Sequence, residues 1–288
     1  MPDVGARALD ARAAPRGPRV APNIYLAVGA IMLAAYAAVA LFGGWIAPYG
    51  GNEQDLLNVL AAPSAEHWLG TDLIGRDLLS RLILGTRFTL AMALASVAIA
   101  ALIGVALGLV AGYVGGRGDA AITGFVDLLL TIPNLILAIA IASVIGAGMT
   151  GLIVATTVSF VPPLARLIRG RVLEIREEDF VQAAISIGMS DARIIVRHVL
   201  PNALTVIVIE TSLLAGQAVL VGSALGFLGL GVQPPAPEWG TMLSGGREFL
   251  EVAPHLVVAP GIAISLLIFA FNMLGDGLRD RLDPNHRA

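Results

Sequence analysis

The sequence predicts an all-α membrane protein with six transmembrane helices. Three observations carry this: 57% of the 288 residues are hydrophobic, only 14% are charged, and the apolar residues gather in long runs nearly free of charge. Soluble domains are about a quarter charged, so a chain this poor in charge lacks the surface that water would have to wet. The formal net charge of −3 gives no support for a nucleic-acid partner. The chain has no cysteine, which excludes disulfides, thiolate metal sites and cysteine nucleophiles. It also has no lysine, all eighteen basic residues being arginine.

Residues 1–23 are rich in Ala, Arg and Pro without periodicity and are expected to form a disordered tail. The first apolar run, Ile24–Ile46, exceeds the about 20 residues needed to cross a bilayer. It is longer than a secretory h-region, and Trp45-Ile46-Ala47-Pro48 offers no A-x-A-like cleavage site, so it reads as an uncleaved anchor. The segment that completes residues 24–87 contains Asp72, Arg76, Asp77 and Arg81. These form two i, i+4 acid-before-base pairs, and with Leu78, Leu79, Leu82 and Ile83 they predict an interfacial helix.

The second run, Phe88–Gly112, opens a core expected over 88–276. Gly104, Gly108 and Gly112 recur along it every four residues, a spacing that lets helix backbones approach closely in lipid. Ordinary helix packing explains the pattern; a moving pore-wall contact is the alternative, and Gly222 and Gly226 repeat the theme later. Leu128–Ala147 and Gly151–Ala165 read as two spans, because one helix over 128–165 would be roughly 57 Å long. Gly146, Gly148 and Gly151 supply the turn between them, while Pro133, Pro162 and Pro163 are expected to kink their helices.

The loop 166–202 has the most informative pattern in the chain. Glu177, Glu178 and Asp179 place negative charge where a helix macrodipole favours it, at a helix start. Phe180, Ala183, Ala184 and Ile187 then recur at helical spacing and predict one small-residue apolar face. Gly188 suits the residue after a helix end, and Ser190 or Asp191 can cap a second short helix, Ala192–Val199, with Ile195 and Val199 on one side. Pro201 is expected to punctuate the return into the membrane. Such faces either lie on the chain's own helix ends or dock on another protein.

The fifth run, Ala203–Leu230, is interrupted only by Glu210, with Gln217 two turns further along the same face. A lone carboxylate facing lipid is costly, so the pair is expected to face protein or a wet cavity. Two readings stay open, a polar spot on a translocation path and an interhelical hydrogen bond. The sixth run is His255–Gly275, leaving 277–288 as a tail. With both termini inside, fourteen arginines fall in inner segments and four (Arg76, Arg81, Arg87, Arg247) in outer ones, which predicts N-in and C-in.

Gln182-Ala183-Ala184, then Gly188, then His198-Val199-Leu200-Pro201 resembles the EAA loop of ABC-importer permeases, departing from it by Gln182 where that motif has Glu. His67-Trp68-Leu69-Gly70-Thr71-Asp72 with Gly75-Arg76-Asp77 and Ser80-Arg81 resembles a stretch of dipeptide, oligopeptide and nickel permeases. So do Leu225-Gly226-Phe227-Leu228-Gly229-Leu230-Gly231 with Pro234-Pro235 and Trp239-Gly240, and the run Asn272 to Asp280. The resemblance spans residues 24 to 285 and implies a type I ABC-importer permease fold in a bacterial inner membrane. It implies ATPase-coupling roles for Phe180, Gln182, Ala183, Ala184, Ile187, Gly188, His198, Leu200 and Pro201. It further implies a homologous permease subunit in a heterodimer, two ABC ATPase subunits, an extracytoplasmic solute-binding protein and surrounding lipid. Peptides are the cargo expected, nickel or another small solute the alternative. ATP would be used by the partner subunits, with no cofactor on this chain.

Leu243-Ser244-Gly245-Gly246-Arg247 is similar to the LSGGQ signature of ABC ATPases, but the predicted topology places it outside. A phosphate-cradling P-loop also needs a lysine, which this chain does not contain. The four histidines, His67, His198, His255 and His286, show no metal-ligand spacing, and no nucleophile–base–acid set is evident. The rival class, an ion-coupled transporter or channel, calls for several ionisable residues within the spans, where only Glu210 is deeply placed. An anchor or assembly factor would show no transport phenotype.

Overall fold

A computed structural model of the chain describes residues 23–282. The expected tail up to residue 22 and His286 lie outside the described residues. Helix α1, Ile24–Ile46, matches the first apolar run to the residue. Asn23 begins it twice over: its Oδ1 accepts from Leu26 N–H at 3.2 Å, and its Nδ2 donates to the Gly277 carbonyl at 2.8 Å. The second bond ties α1 to α10, His255–Leu282. Gly29 faces Leu274 of α10, and Gly277 faces Leu26 of α1, each so closely that an added Cβ would strike backbone.

The segment before α2 corrects one expectation. Helix α2, Leu78–Val114, starts six residues later than the charge pairs imply. It also runs through residue 87, so the boundary expected there falls inside a helix. Gly75 adopts φ +77° against the Asp55 backbone, a conformation that L side chains avoid, and no helix can pass through it. Asp72 and Arg76 do pair, at 2.7 Å, but across a turn. Asp77 turns to His67 at 3.0 Å and caps α2 by accepting from Ser80 N–H at 2.7 Å. Arg81 turns instead toward Asp72, 3.5 Å away.

Helix α5, Met149–Arg176, runs parallel to α2 along their longest shared contact. Gly104 lies against Leu164, Gly108 against Ala165 and Ile168, and Gly112 against Val172, so the glycine ladder is a packing seam. Parallel neighbours require the chain between them to return to the starting end. That return is α3, Gly116–Leu130, and α4, Asn134–Ile145, bent by 91° at Pro133. The expected third span is therefore broken rather than kinked. Pro162 and Pro163 stand inside α5, which continues through them. Gly146 and Gly148, at φ +100° and +138°, make the expected turn between α4 and α5. Among the described residues five helices are long and apolar enough to cross a membrane, six if the bent pair is counted as one span.

Beyond α5 come α6, Asp179–Ser186, and α7, Asp191–Ile194. A widened π-type turn over Ile195–Val199 then leads without interruption into α8, Leu200–Phe227. Pro201 consequently does not punctuate the chain. It sits inside a continuous helical stretch, where the wider turn just before it makes room for its ring. At the opposite end, α9, Trp239–Gly246, is begun by Glu238, whose buried carboxylate accepts from Gly240 and Thr241 N–H at 2.8 and 2.9 Å. Burial pushes that carboxyl group upward from its ordinary range, against the pull of the two amides. Trp239 donates to the Leu82 carbonyl at 3.0 Å and meets Tyr36 edge-on at 6.0 Å, locking α1, α2 and α9 together.

Candidate functional site

The helix directions gather the ends of α2 and α5, the short helices α6 and α7 and the start of α8 at one end of the bundle. Helix α6 closes there with paired terminal bonds: Gly188 N–H donates to Ile185 O at 2.9 Å and Met189 N–H to Ala184 O at 3.1 Å. Gly188 takes φ +76°, as its place after the helix end requires. Ser190 precedes α7 in extended conformation, and Ile194 and Arg193 donate back to its carbonyl.

The apolar residues of α6 do not form the single face expected. Val181 and Ala184 turn inward and join Ile175, Ile194 and Val199 in the main core. Ala184 is only 4% exposed, so it is not part of an open docking surface. Phe180, Ala183 and Ile187 point outward; Phe180 is 41% exposed and Ile187 77%. The reason is geometric. On a helix of 3.6 residues per turn, positions 183 and 184 differ by about 100°, so adjacent alanines cannot share one narrow stripe. Ile195 is half-buried and Val199 fully buried, while Ile194, unmarked in the sequence reading, is as deeply buried as Val199.

Gln182 donates from Nε2 to the Arg176 carbonyl at 2.8 Å, closing the C-terminal end of α5. A glutamate could not make that bond, because a carboxylate has no proton to offer a carbonyl. His198 lies under Phe180 with ring centroids 6.2 Å apart, and its Nε2 is buried without a partner among the described residues. Leu200 is half-buried and Pro201 exposed. Tyr113, the penultimate residue of α2, donates to Asp191 at 3.2 Å while the Arg176 guanidinium lies 5.9 Å above its ring. One tyrosine thus joins α2, α5 and α7.

Sequence reading missed the ion pairs of this end. Asp119 of α3 receives two hydrogen bonds from Arg169 of α5, both 2.6 Å, and Asp127 pairs with Arg166. A fitting signal was present, since the acids stand eight residues apart on one helix and the bases three apart on another. The packing of α3 against α5 brings those side chains together. Glu210 is half-buried on α8 and Gln217 exposed, and neither makes a hydrogen bond or ion pair among the described residues. The interhelical bond within this chain, one of the two readings left open, is absent among those residues. Nothing among the described residues gathers three or more metal-ligating side chains.

Comparison with known proteins points one way. Residues 104–288 match the family model described as "Binding-protein-dependent transport system inner membrane component". The dipeptide transport system permease protein DppC of Alkalihalophilus pseudofirmus is 42% identical over 261 residues, covering 91% of this chain and 86% of the relative. The glutathione transport system permease protein GsiD of Pectobacterium atrosepticum is 41% identical over 254 residues, covering 87% and 84%. Its Escherichia coli counterpart is 43% identical over 247 residues, covering 85% and 82%. Among solved structures, an inward-facing MetNI methionine ABC transporter superposes with a TM-score of 0.54 at 22% identity, over 69% of this chain and 96% of that one. That likeness concerns the fold alone.

Proposed function

This chain belongs to the family of binding-protein-dependent transport system inner membrane components, and we propose that it forms half of the pore of an ATP-driven peptide importer. It is a multi-pass inner-membrane protein. The reading takes ATP hydrolysis to occur in two partner ATPase subunits, the second half of the pore to be a homologous permease, and cargo to arrive on an extracytoplasmic binding protein. The α6 end then faces the cytoplasm, with both termini inside. Peptide cargo rests on the dipeptide and glutathione permeases to which the chain is similar.

One observation carries the coupling role: α6 is anchored by Val181 and Ala184 yet leaves Phe180, Ala183 and Ile187 bare at the end of the bundle. An apolar face held rigidly in the open is the form of a handle for a partner. When the ATPase subunits close on nucleotide, α6 moves with them, and Gln182, Gly188, His198, Leu200 and Pro201 hold the joint through which α5 and α8 follow. Replacing Phe180 and Ile187 together with alanine removes contact worth about 3 kcal/mol, on the order of a hundredfold in affinity. The ATPase subunits are expected to stop co-purifying while membrane insertion and pairing of the two permeases persist. Undiminished recovery of the ATPase subunits would sink the handle.

Glu210 has no partner among the described residues, which leaves it to face either the pore or the second permease. We take it to face the pore. Glu210→Gln is then expected to leave the complex assembled and to lower peptide uptake about tenfold, the worth of one charge-assisted hydrogen bond. Loss of permease pairing would place it at the interface instead.

A further inference from the structure

At the end opposite α6, two arginines converge on one carboxylate. Asp72 accepts from the N–H groups of Ile74 and Arg76, both at 3.0 Å, and from Arg76 Nε at 2.7 Å. Arg81 Nε lies 3.5 Å from the same carboxylate, and its Nη1 donates to the carbonyls of Gly51 at 2.8 Å and Pro235 at 3.3 Å. The neighbouring carboxylate, Asp77, is held by His67 and by Ser80 N–H. Arg76 is 8% exposed and Arg81 4%, and the Nη groups of Arg76 find no acceptor among the described residues. Two guanidiniums thus share the Asp72 carboxylate, and the Arg76 Nη donors stay free for a further acceptor.

Both arginines line a cavity of about 230 Å³ between the 72–81 turn, Pro234 and α9. Its mouth lies at exposed Leu73, Pro234 and Gly245, and Met242 and Leu256 form apolar walls. A pocket of this size is below the range that encloses drug-sized ligands. It suits one side chain. Guanidinium forks match carboxylates in geometry, and apolar walls strengthen the pair by excluding water.

We propose that this cavity receives an aspartate or glutamate side chain of the extracytoplasmic binding protein when that protein docks. The proposal rests on the importer reading above, which puts this end outside. Gly245 stands at the rim of the cavity with room for a side chain, since an added Cβ would meet only Leu73 Cδ2, at 3.7 Å.

The chain's lack of cysteine makes the test direct. Gly245→Cys is introduced into the complete transporter, with its other subunits cysteine-free, in lipid nanodiscs. Its modification rate is measured with an anionic and a cationic methanethiosulfonate reagent, with and without cargo-loaded binding protein. The anionic reagent is expected to react several-fold faster, binding protein to slow modification about tenfold, and Arg76→Gln to erase the preference for the anion. Equal rates for the two reagents, or no protection by a binding protein that stimulates ATP hydrolysis in the same sample, would overturn the proposal. Protection by free peptide alone would overturn it too, by giving the cavity to cargo. If Arg76→Gln fails to assemble, the reagent rates and protection in Gly245→Cys alone still decide. Absence of binding-protein-stimulated hydrolysis in the unmodified transporter would refute the importer reading rather than the cavity.

Discussion

Gly108→Leu is expected to prevent the chain from accumulating in folded form. A Cβ at this position would stand 2.7 Å from the Ala165 carbonyl oxygen and 2.7 Å from Ile168 Cβ, neither of which is the free end of a flexible side chain. The whole of α5 would have to withdraw from α2. At Gly112 a Cβ would come within 2.8 Å of Val172 Cβ, so the helices cannot pivot about the next contact without a second clash. Overpacking a tight seam costs about 1–3 kcal/mol where neighbours can adjust, and more where backbone must move. In lipid that loss is not recovered elsewhere, because packing is what drives helix association there. Gly118→Leu is the control: it lies exposed on α3, and a Cβ there meets nothing within 4 Å. Detergent size-exclusion profiles should show Gly118→Leu as the parent chain and Gly108→Leu as aggregate or fragment. A monodisperse Gly108→Leu would mean that α2 and α5 do not meet in this register.

Ala184→Arg and Ala183→Arg should part company just as sharply. Ala184 packs within the core beside Val181, Ile194 and Val199, so a guanidinium there is buried without a carboxylate, at a cost of several kcal/mol. Helix α6 is expected to lift away from the bundle, and limited proteolysis should open new cleavage between residues 177 and 190. Ala183 points outward, and arginine there should leave the protease pattern unchanged while weakening ATPase recovery. Wild-type protease resistance in Ala184→Arg would show that the inward face of α6 has been assigned wrongly.

Those two alanines mark the limit of what the sequence could say about the site. Helical spacing predicted a short helix starting at Glu177–Asp179 and carrying an apolar face to Ile187, with Gly188 after its end, and α6 spans Asp179–Ser186, because capping and periodicity are local properties. Which side of that helix turned inward was not legible, since Phe180 and Ile187 are as apolar as Val181 and Ile194. The same limit appears at Asp77 and Arg81. Their spacing would suit a helix, but Gly75 closes a turn before them, and Asp77 is drawn to His67, ten residues away.

Taken alone, the sequence determined the solvent, the first span to the residue, the glycine turn between α4 and α5, and the loop pattern of its family. Each depends on hydrophobicity summed over a window or on the conformational preference of one residue. Only the tertiary structure decided that α2 and α5 lie side by side, that α3 and α4 break at Pro133, and which acid answers which arginine. In a membrane the outer surface is as apolar as the core, so hydrophobicity reports depth in the bilayer and not which helix stands beside which. Partners are fixed where backbones can approach, at Gly108 and Gly277, and where charges meet after the helices have packed.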